Sequence, residues 1–313
     1  MINKNCLSPI VLFTYDRQYH TRQTINYLKE NQFAKESILI VYSDAPKNET
    51  KVNGVREVRK YLSTVNGFKE KIIIERDRNL GLTGSIETSI PEIIKIYKRA
   101  IILEDDLITS PFFLRYMNEA LELYQSEEKV ASIHGYCYPV RSELPETFFI
   151  KGADCWGWGT WERAWNFYEK DAVILCNALK KANLEKEFNF NNSYFYTKLL
   201  KDQTKGKNLS WAVKWYASAF LADMVTLYPY PTLIQNIGFD NTGTNPNLSK
   251  RWNSPVNEVP FVLEKIDIRE NKLAREAFEG FFKSLWSISS IAERIINKVR
   301  SKIINFRICL KNI

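Results

Sequence analysis

Ile101-Ile102-Leu103-Glu104-Asp105-Asp106 reads as an apolar β-strand that ends in three adjacent carboxylates. Side-by-side acids repel and raise one another's pKa, so a folded chain gathers them mainly where a cation compensates the charge. The cation expected here is a divalent metal. Helix capping does not account for the triplet, because Ser110-Pro111 supplies an N-cap and first-turn pair of its own. Behind that pair runs an apolar stripe of Phe113, Met117, Ala120, Leu121 and Tyr124. In open α/β sheets the ligand crevice lies outside the carboxyl ends of the strands, where this triplet falls.

Upstream, Pro9–Tyr15, Ser37–Tyr42 and Lys71–Glu75 are further β-rich runs, and Arg99–Leu103 is the fourth. Helical stretches around Thr21–Asn31, Val52–Val65 and Thr83–Tyr97 separate them. Strand-helix alternation at this spacing predicts an α/β fold, a Rossmann-like and mostly parallel sheet with helices on both faces. Neither G-x-G-x-x-G after the first strand nor G-x-x-x-x-G-K-[ST] occurs, which disfavours a dinucleotide dehydrogenase and a P-loop kinase. A nucleotide bound here would need its diphosphate neutralised by metal and basic side chains.

The texture changes near residue 135. Lys151 to Trp165 packs three glycines among four tryptophans and is expected to open a region of mixed helices and loops. An aromatic helix over Trp211–Leu221, a strand over Val225–Leu227 and the turn-rich stretch 236–244 follow. Three regions are expected: 1–135, binding nucleotide-sugar; 136–264, binding acceptor and supplying catalytic groups; and 265–313, a basic amphipathic helical tail. In that tail Ile288, Ala292, Ile295, Val299, Ile303, Phe306 and Leu310 recur at helical spacing among basic residues, a pattern suited to an anionic membrane surface or to packing on the body.

With 313 residues, 45% hydrophobic and 26% charged, the chain is globular and long enough for a sizeable core. Residues 265–313 hold 11 Lys and Arg against 5 Asp and Glu, so most of the net charge of +8 sits in the tail and a nucleic-acid partner is not expected. Five cysteines without paired spacing suggest neither a disulfide framework nor a thiolate zinc site. No segment has the roughly 18 apolar residues of a membrane span. A cytoplasmic protein is expected, peripheral on the inner face of the membrane where the tail engages it.

Ordered features across residues 9–245 resemble the nucleotide-sugar glycosyltransferases of the GT-A fold, specifically bacterial family-2-like sugar transferases similar to animal N-acetylglucosaminyltransferase I. They are Tyr15-Asp16-Arg17, Arg22, Ser43-Asp44, Arg78-Asn79-Leu80-Gly81-Leu82, the triplet with Pro111-Phe112-Phe113, and Trp156-Gly157-Trp158-Gly159. The resemblance implies that Asp106 binds Mn2+ or Mg2+ bridging the donor diphosphate, with Glu104 and Asp105 meeting the nucleoside or shaping the site. It also implies that Arg17 contacts the phosphates and Asp44 the base, that Thr14 and Asn79 belong to the donor site, and that Trp156, Trp158 and Trp161 line the donor-acceptor cleft. The implied partners are a nucleoside diphosphate sugar, UDP-sugars favoured, and a glycan or lipid-linked acceptor of capsule or lipopolysaccharide synthesis.

Inversion at the anomeric carbon needs a carboxylate near the acceptor hydroxyl. The stretch Ser210-Trp211-Ala212-Val213-Lys214-Trp215 carries none, so Asp154 is the first candidate and Asp240 the second. His20 and His134 sit in no recognisable acid-base constellation. Two other functions compete: a glycan or nucleotide-sugar-binding protein of the same fold without turnover, and nucleotidyl transfer, which lacks its glycine-rich loop here.

Overall fold

The computed structural model describes residues 6–240, 250–260 and 262–286. Strands β1 (Ile10–Thr14), β2 (Ile38–Ser43), β3 (Glu70–Glu75) and β4 (Arg99–Glu104) form where expected: the Ile- and Val-rich runs of β1, β2 and β4 bury on both faces, while β3, at the sheet edge, is half-buried. Helices α1 (Gln18–Lys29), α2 (Val52–Thr64) and α3 (Gly81–Tyr97) connect them. On β3, Lys71 Nζ reaches the Leu62 carbonyl of α2, while Arg76, just past the strand and on the other side of the pleat, donates to Ser89 of α3 at 2.7 Å. Helices therefore cover both faces.

The sheet has eight strands in the order β3-β2-β1-β4-β8-β6-β9-β7, where β6 is Val130–His134, β7 Thr147–Ile150, β8 Trp158–Trp161 and β9 Val225–Pro229. The β3-β2-β1-β4 half is wholly parallel; β8 then runs antiparallel to both β4 and β6, β6 pairs parallel with β9, and β7 closes the far edge antiparallel to β9. A second, two-stranded sheet pairs β5 (Leu107–Thr109) antiparallel with β10 (Ile234–Asn236). One sheet thus runs across the expected boundary at residue 135, and the stretch from Lys151 read as helices and loops contributes β8 to it. The remaining helices are α4 (Phe113–Leu123), α5 (Glu162–Trp165), α6 (Ala172–Lys181), α7 (Glu185–Phe188), α8 (Tyr196–Gln203), α9 (Trp211–Leu221) and α10 (Lys272–Ser284).

Two local expectations are corrected. Helix α4 begins at Phe113, because Pro111-Phe112 form a turn: Ser110 Oγ accepts from the Phe112 amide at 3.2 Å, and the Phe113 amide donates to the Ser110 carbonyl. Trp158 and Trp161, expected in a ligand cleft, are core residues. Trp158 is fully buried and stacks on Trp211 at 5.2 Å, with Trp165 and Trp215 beside it, while the Trp161 indole donates to the Leu121 carbonyl at 3.1 Å. Glycines turn the chain into β8 and leave room for α4 above it: Gly157 has φ +64°, and a Cβ on Gly159 would lie 2.9 Å from Met117 Cε.

Of the expected tail, α10 packs on the body through the buried Phe278, Phe281 and Phe282. The pattern from Ile288 to Leu310 lies outside the described residues. No helix among the described residues is long and apolar enough to cross a membrane.

Replacing Trp158 by Ala is expected to cost about 3–5 kcal/mol of stability, as for large buried aromatics, measured by chemical denaturation. A second outcome concerns His134, fully buried on β6, whose Nδ1–H donates to the Tyr136 carbonyl at 2.9 Å. Burial lowers its pKa from 6.5 to about 3. Between those values the unfolded chain holds the extra proton, so this contribution is complete above pH 6.5 and is lost as pH falls toward 3. The slope contributed is at most ~1.4 kcal/mol per pH unit. Urea titrations at several pH values should show that acid limb flattened in His134→Gln.

Candidate active site

Parallel register brings the carboxyl ends of three strands together: Phe13 of β1 lies opposite Glu104 of β4, and Thr14 opposite Ser43 of β2. Residues just past those ends, Arg17, Asp44 and Asp105-Asp106, therefore share one crevice, as the topology demands. Thr14 is buried there and its Oγ1 donates to the Tyr42 carbonyl at 3.4 Å.

Asp105 and Asp106 are both buried, and one nitrogen of Arg17 bridges them: Nη2 donates to Asp105 Oδ1 at 2.6 Å and to Asp106 Oδ2 at 2.7 Å. Burial works against the guanidinium charge, but the two aspartates outweigh it and raise the Arg17 pKa. Glu104 is half-buried, and burial together with the charges of Asp106 and Asp105 pushes its carboxyl up to about 8, so at neutral pH it holds its proton more often than not. Burial also raises Asp105, against the pull of Arg17. The compensating cation of this arrangement is thus a side chain of the chain itself. Arg17, expected to meet phosphate, is committed through Nη2 to the acids.

Two atoms of this cluster are left over. Arg17 Nη1 and Asp106 Oδ1 are buried without a hydrogen-bond partner among the described residues. A buried polar atom without a partner is costly, so the pair marks where a ligand can add stability. Among the described residues no group of three or more His, Cys, Asp or Glu side chains is arranged to hold a metal ion. An all-protein metal cage is therefore not what these residues build. Magnesium-type ions need only one or two carboxylates when substrate phosphates and water complete the shell, and Asp106 Oδ1 fits that requirement.

The segment after β10 covers the cluster. The Ile237 amide donates to the Asp106 carbonyl at 2.8 Å, and the Gly238 amide to Asn236 Oδ1 at 2.7 Å. A Cβ on Gly238 would lie 2.2 Å from Asp106 Oδ2 and 3.2 Å from Arg17 Nη1, so only glycine fits. Asp240, the second candidate base, instead anchors this cover: its Oδ2 lies 3.1 Å from Nε2 of the buried His20 on α1. Sequence reasoning passed over His20 and Gly238 because their meaning depends on β10 pairing with β5, which no local pattern announces.

Asp44 has a different task from the base contact expected. Its carboxylate accepts from the amides of Ala45, Leu80 and Gly81 and from Asn79 Nδ2, at 2.8–3.2 Å. That clamps the N-terminus of α3 and uses the acceptor capacity of both oxygens. Asn79 serves the same clamp, and its Nδ2 also donates to the Ala45 carbonyl at 2.7 Å.

Asp154, in the loop before β8, is half-buried, with Oδ1 accepting from Tyr138 Oη and Oδ2 from Tyr228 Oη, each at 2.7 Å. Burial raises its carboxyl pKa and the two tyrosines pull it partly back. Each oxygen keeps a further acceptor site. Cys155, next in the chain, feels Glu104, Asp154 and Asp106 together, which places both acid groups within electrostatic reach of one side chain. Of the three tryptophans, Trp156 stands at the site, half-buried and edge-on to Tyr136 at 4.7 Å, Phe239 at 5.6 Å and Trp252 at 6.2 Å. It joins the cover over Asp106 to the loop carrying Asp154.

No family model matches the chain, and no curated protein matches it in sequence. Among solved structures it is similar to TarS of S. aureus, at 14% identity and a TM-score of 0.38, over 71% of this chain and 36% of the TarS chain. The chain spans about a third of the length of that protein. At this identity and score the likeness bears on neither activity nor substrate.

Gly238→Ala is expected to destabilise the protein by about 1–3 kcal/mol through overpacking against Asp106. Gly280→Ala, on the exposed face of α10 where a Cβ meets nothing within 4 Å, is expected to stabilise by about 0.5–1 kcal/mol. Parallel urea titrations check both signs.

Proposed function

We propose that this chain is a glycosyltransferase that moves a sugar from a nucleoside diphosphate donor to a glycan acceptor. The observation that carries this reading is the pairing, at the carboxyl ends of β1 and β4, of one guanidinium nitrogen with one carboxylate oxygen, each buried without a partner among the described residues. A diphosphate accompanied by a cation has the charges to meet both.

Arg17 Nη1 would donate to a phosphate oxygen, and Asp106 Oδ1 would hold Mn2+ or Mg2+. Bound there, such an ion neutralises negative charge that develops on the departing diphosphate. Arg17 acts in the same direction, since its interaction with the leaving group strengthens as the glycosyl bond breaks. Glu104, protonated at neutral pH, would donate a hydrogen bond to the nucleoside, and the Asp44 clamp on α3 would shape the wall beside it. Asp154, with its raised carboxyl pKa and one open acceptor site on each oxygen, would take the proton of the acceptor hydroxyl as inversion requires. Trp156 would offer a ring face to the sugar. UDP-sugars, a lipid-linked acceptor of capsule or lipopolysaccharide synthesis, and a basic tail resting on an anionic membrane complete the reading.

One observation favours a second reading, a nucleotide-sugar-binding protein without turnover: Arg17 already neutralises the acid pair, and both Asp154 oxygens carry tyrosine hydrogen bonds. A panel of nucleotide sugars screened for manganese-dependent hydrolysis and transfer separates the two. Turnover is expected, with Asp106→Asn and Asp154→Asn each lowering kcat by roughly 10²-fold or more at unchanged thermal stability. Binding without turnover for every donor would establish the second reading instead.

A further inference from the structure

The two partnerless atoms have opposite polarity and belong to one ion-paired cluster. Arg17 Nη2 is bonded to Asp106 Oδ2, while Arg17 Nη1 and Asp106 Oδ1 remain over. A cation arriving alone would meet Asp106 Oδ1, but it would set its charge beside the guanidinium and leave Nη1 unmet. A diphosphate alone would meet Nη1, but it would set its negative charge beside Asp105 and Asp106 and leave Oδ1 unmet. Only the two together satisfy both atoms while their charges cancel locally. The cover lies over the same pair, since a Cβ added to Gly238 would strike Asp106 Oδ2 and crowd Arg17 Nη1.

We propose that Arg17 couples the divalent cation to the nucleoside diphosphate: as the resident counter-charge of Asp105 and Asp106 it opposes cation binding until a diphosphate draws its guanidinium toward phosphate. This rests on the donor site proposed above and adds an energetic link between its two ligands. By linkage, each ligand tightens the other by the same factor.

The test is calorimetric titration of the full chain with Mn2+ alone, uridine or guanosine diphosphate alone, and each in the presence of the other, corrected for the cation-diphosphate complex in free solution. For the wild type, Mn2+ alone binds weakly, and each ligand improves the other roughly tenfold or more, within the range usual for coupled sites. In Arg17→Met, Mn2+ alone binds more tightly than to the wild type, the diphosphate binds more weakly, and the mutual factor falls toward one. Because Arg17→Met leaves two buried carboxylates without a counter-charge, Arg17→Met/Asp105→Asn is measured beside it and should show the same loss of coupling in a charge-balanced cluster. Independent binding to the wild type overturns the proposal, as does a mutual factor unchanged in both variants. If binding is uncoupled while metal-dependent donor hydrolysis persists, the coupling alone fails. If no nucleoside diphosphate binds with or without Mn2+, the donor reading and the coupling fall together.

Discussion

Two buried aspartates sharing one guanidinium nitrogen constrain everything around them. Neighbouring carboxylates cannot both leave water ionised without a positive partner, and here that partner comes from the turn after β1. The arrangement holds only if β1 and β4 are adjacent, parallel and in the register that sets Phe13 against Glu104. Ile10–Phe13 and Ile101–Leu103 are buried on both faces of the sheet, so packing of the layers on either side holds the two strands where the charges align. Core packing and site electrostatics are here one requirement.

The second half of the chain meets that requirement from the other side. β8 enters the sheet antiparallel between β4 and β6, and its glycines let Trp158 stack into the layer formed with α9. The same turn at Gly157 separates the buried Trp158 from the half-buried Trp156, so a single stretch supplies both a core plug and a site wall. Asp154, three residues before Gly157, inherits its position from that turn and from Tyr138 and Tyr228. The acid that would serve the acceptor is thereby fixed by rings rather than by charges, unlike the pair that would serve the donor.

Much of this was legible in the residues, and the rest was not, for identifiable reasons. The first four strands could be read because apolar runs between helical stretches have few alternatives in an α/β chain. β8 could not, since its glycines argue locally for turns, and only the space between β4 and β6, where a larger side chain would strike Met117, explains them. The acid triplet reads as the seat of a divalent metal, and the positive charge Arg17 brings to it could not be read, because Arg17 is far away in sequence and near only through the β1–β4 register. Asp44 reads as a contact for the donor base, yet its task as the clamp of α3 follows from backbone amides whose direction no sequence displays. Asp240 likewise became a partner of His20 through the pairing of β10 with β5.

These corrections share a direction. Arg17, Asp44, Asn79 and Asp240, each read first as a group waiting for a ligand, are engaged with their own chain. A crevice lined with charge must be stable before any substrate arrives, so most of its polar groups hold one another in place. What distinguishes ligand-facing atoms is then residual capacity rather than residue type. By that measure the crevice reduces to a guanidinium nitrogen and a carboxylate oxygen buried without partners among the described residues, together with the spare acceptor sites of Asp154. An anion and a cation on one side and a hydroxyl proton on the other is the set of demands that transfer of a glycosyl group from a diphosphate makes.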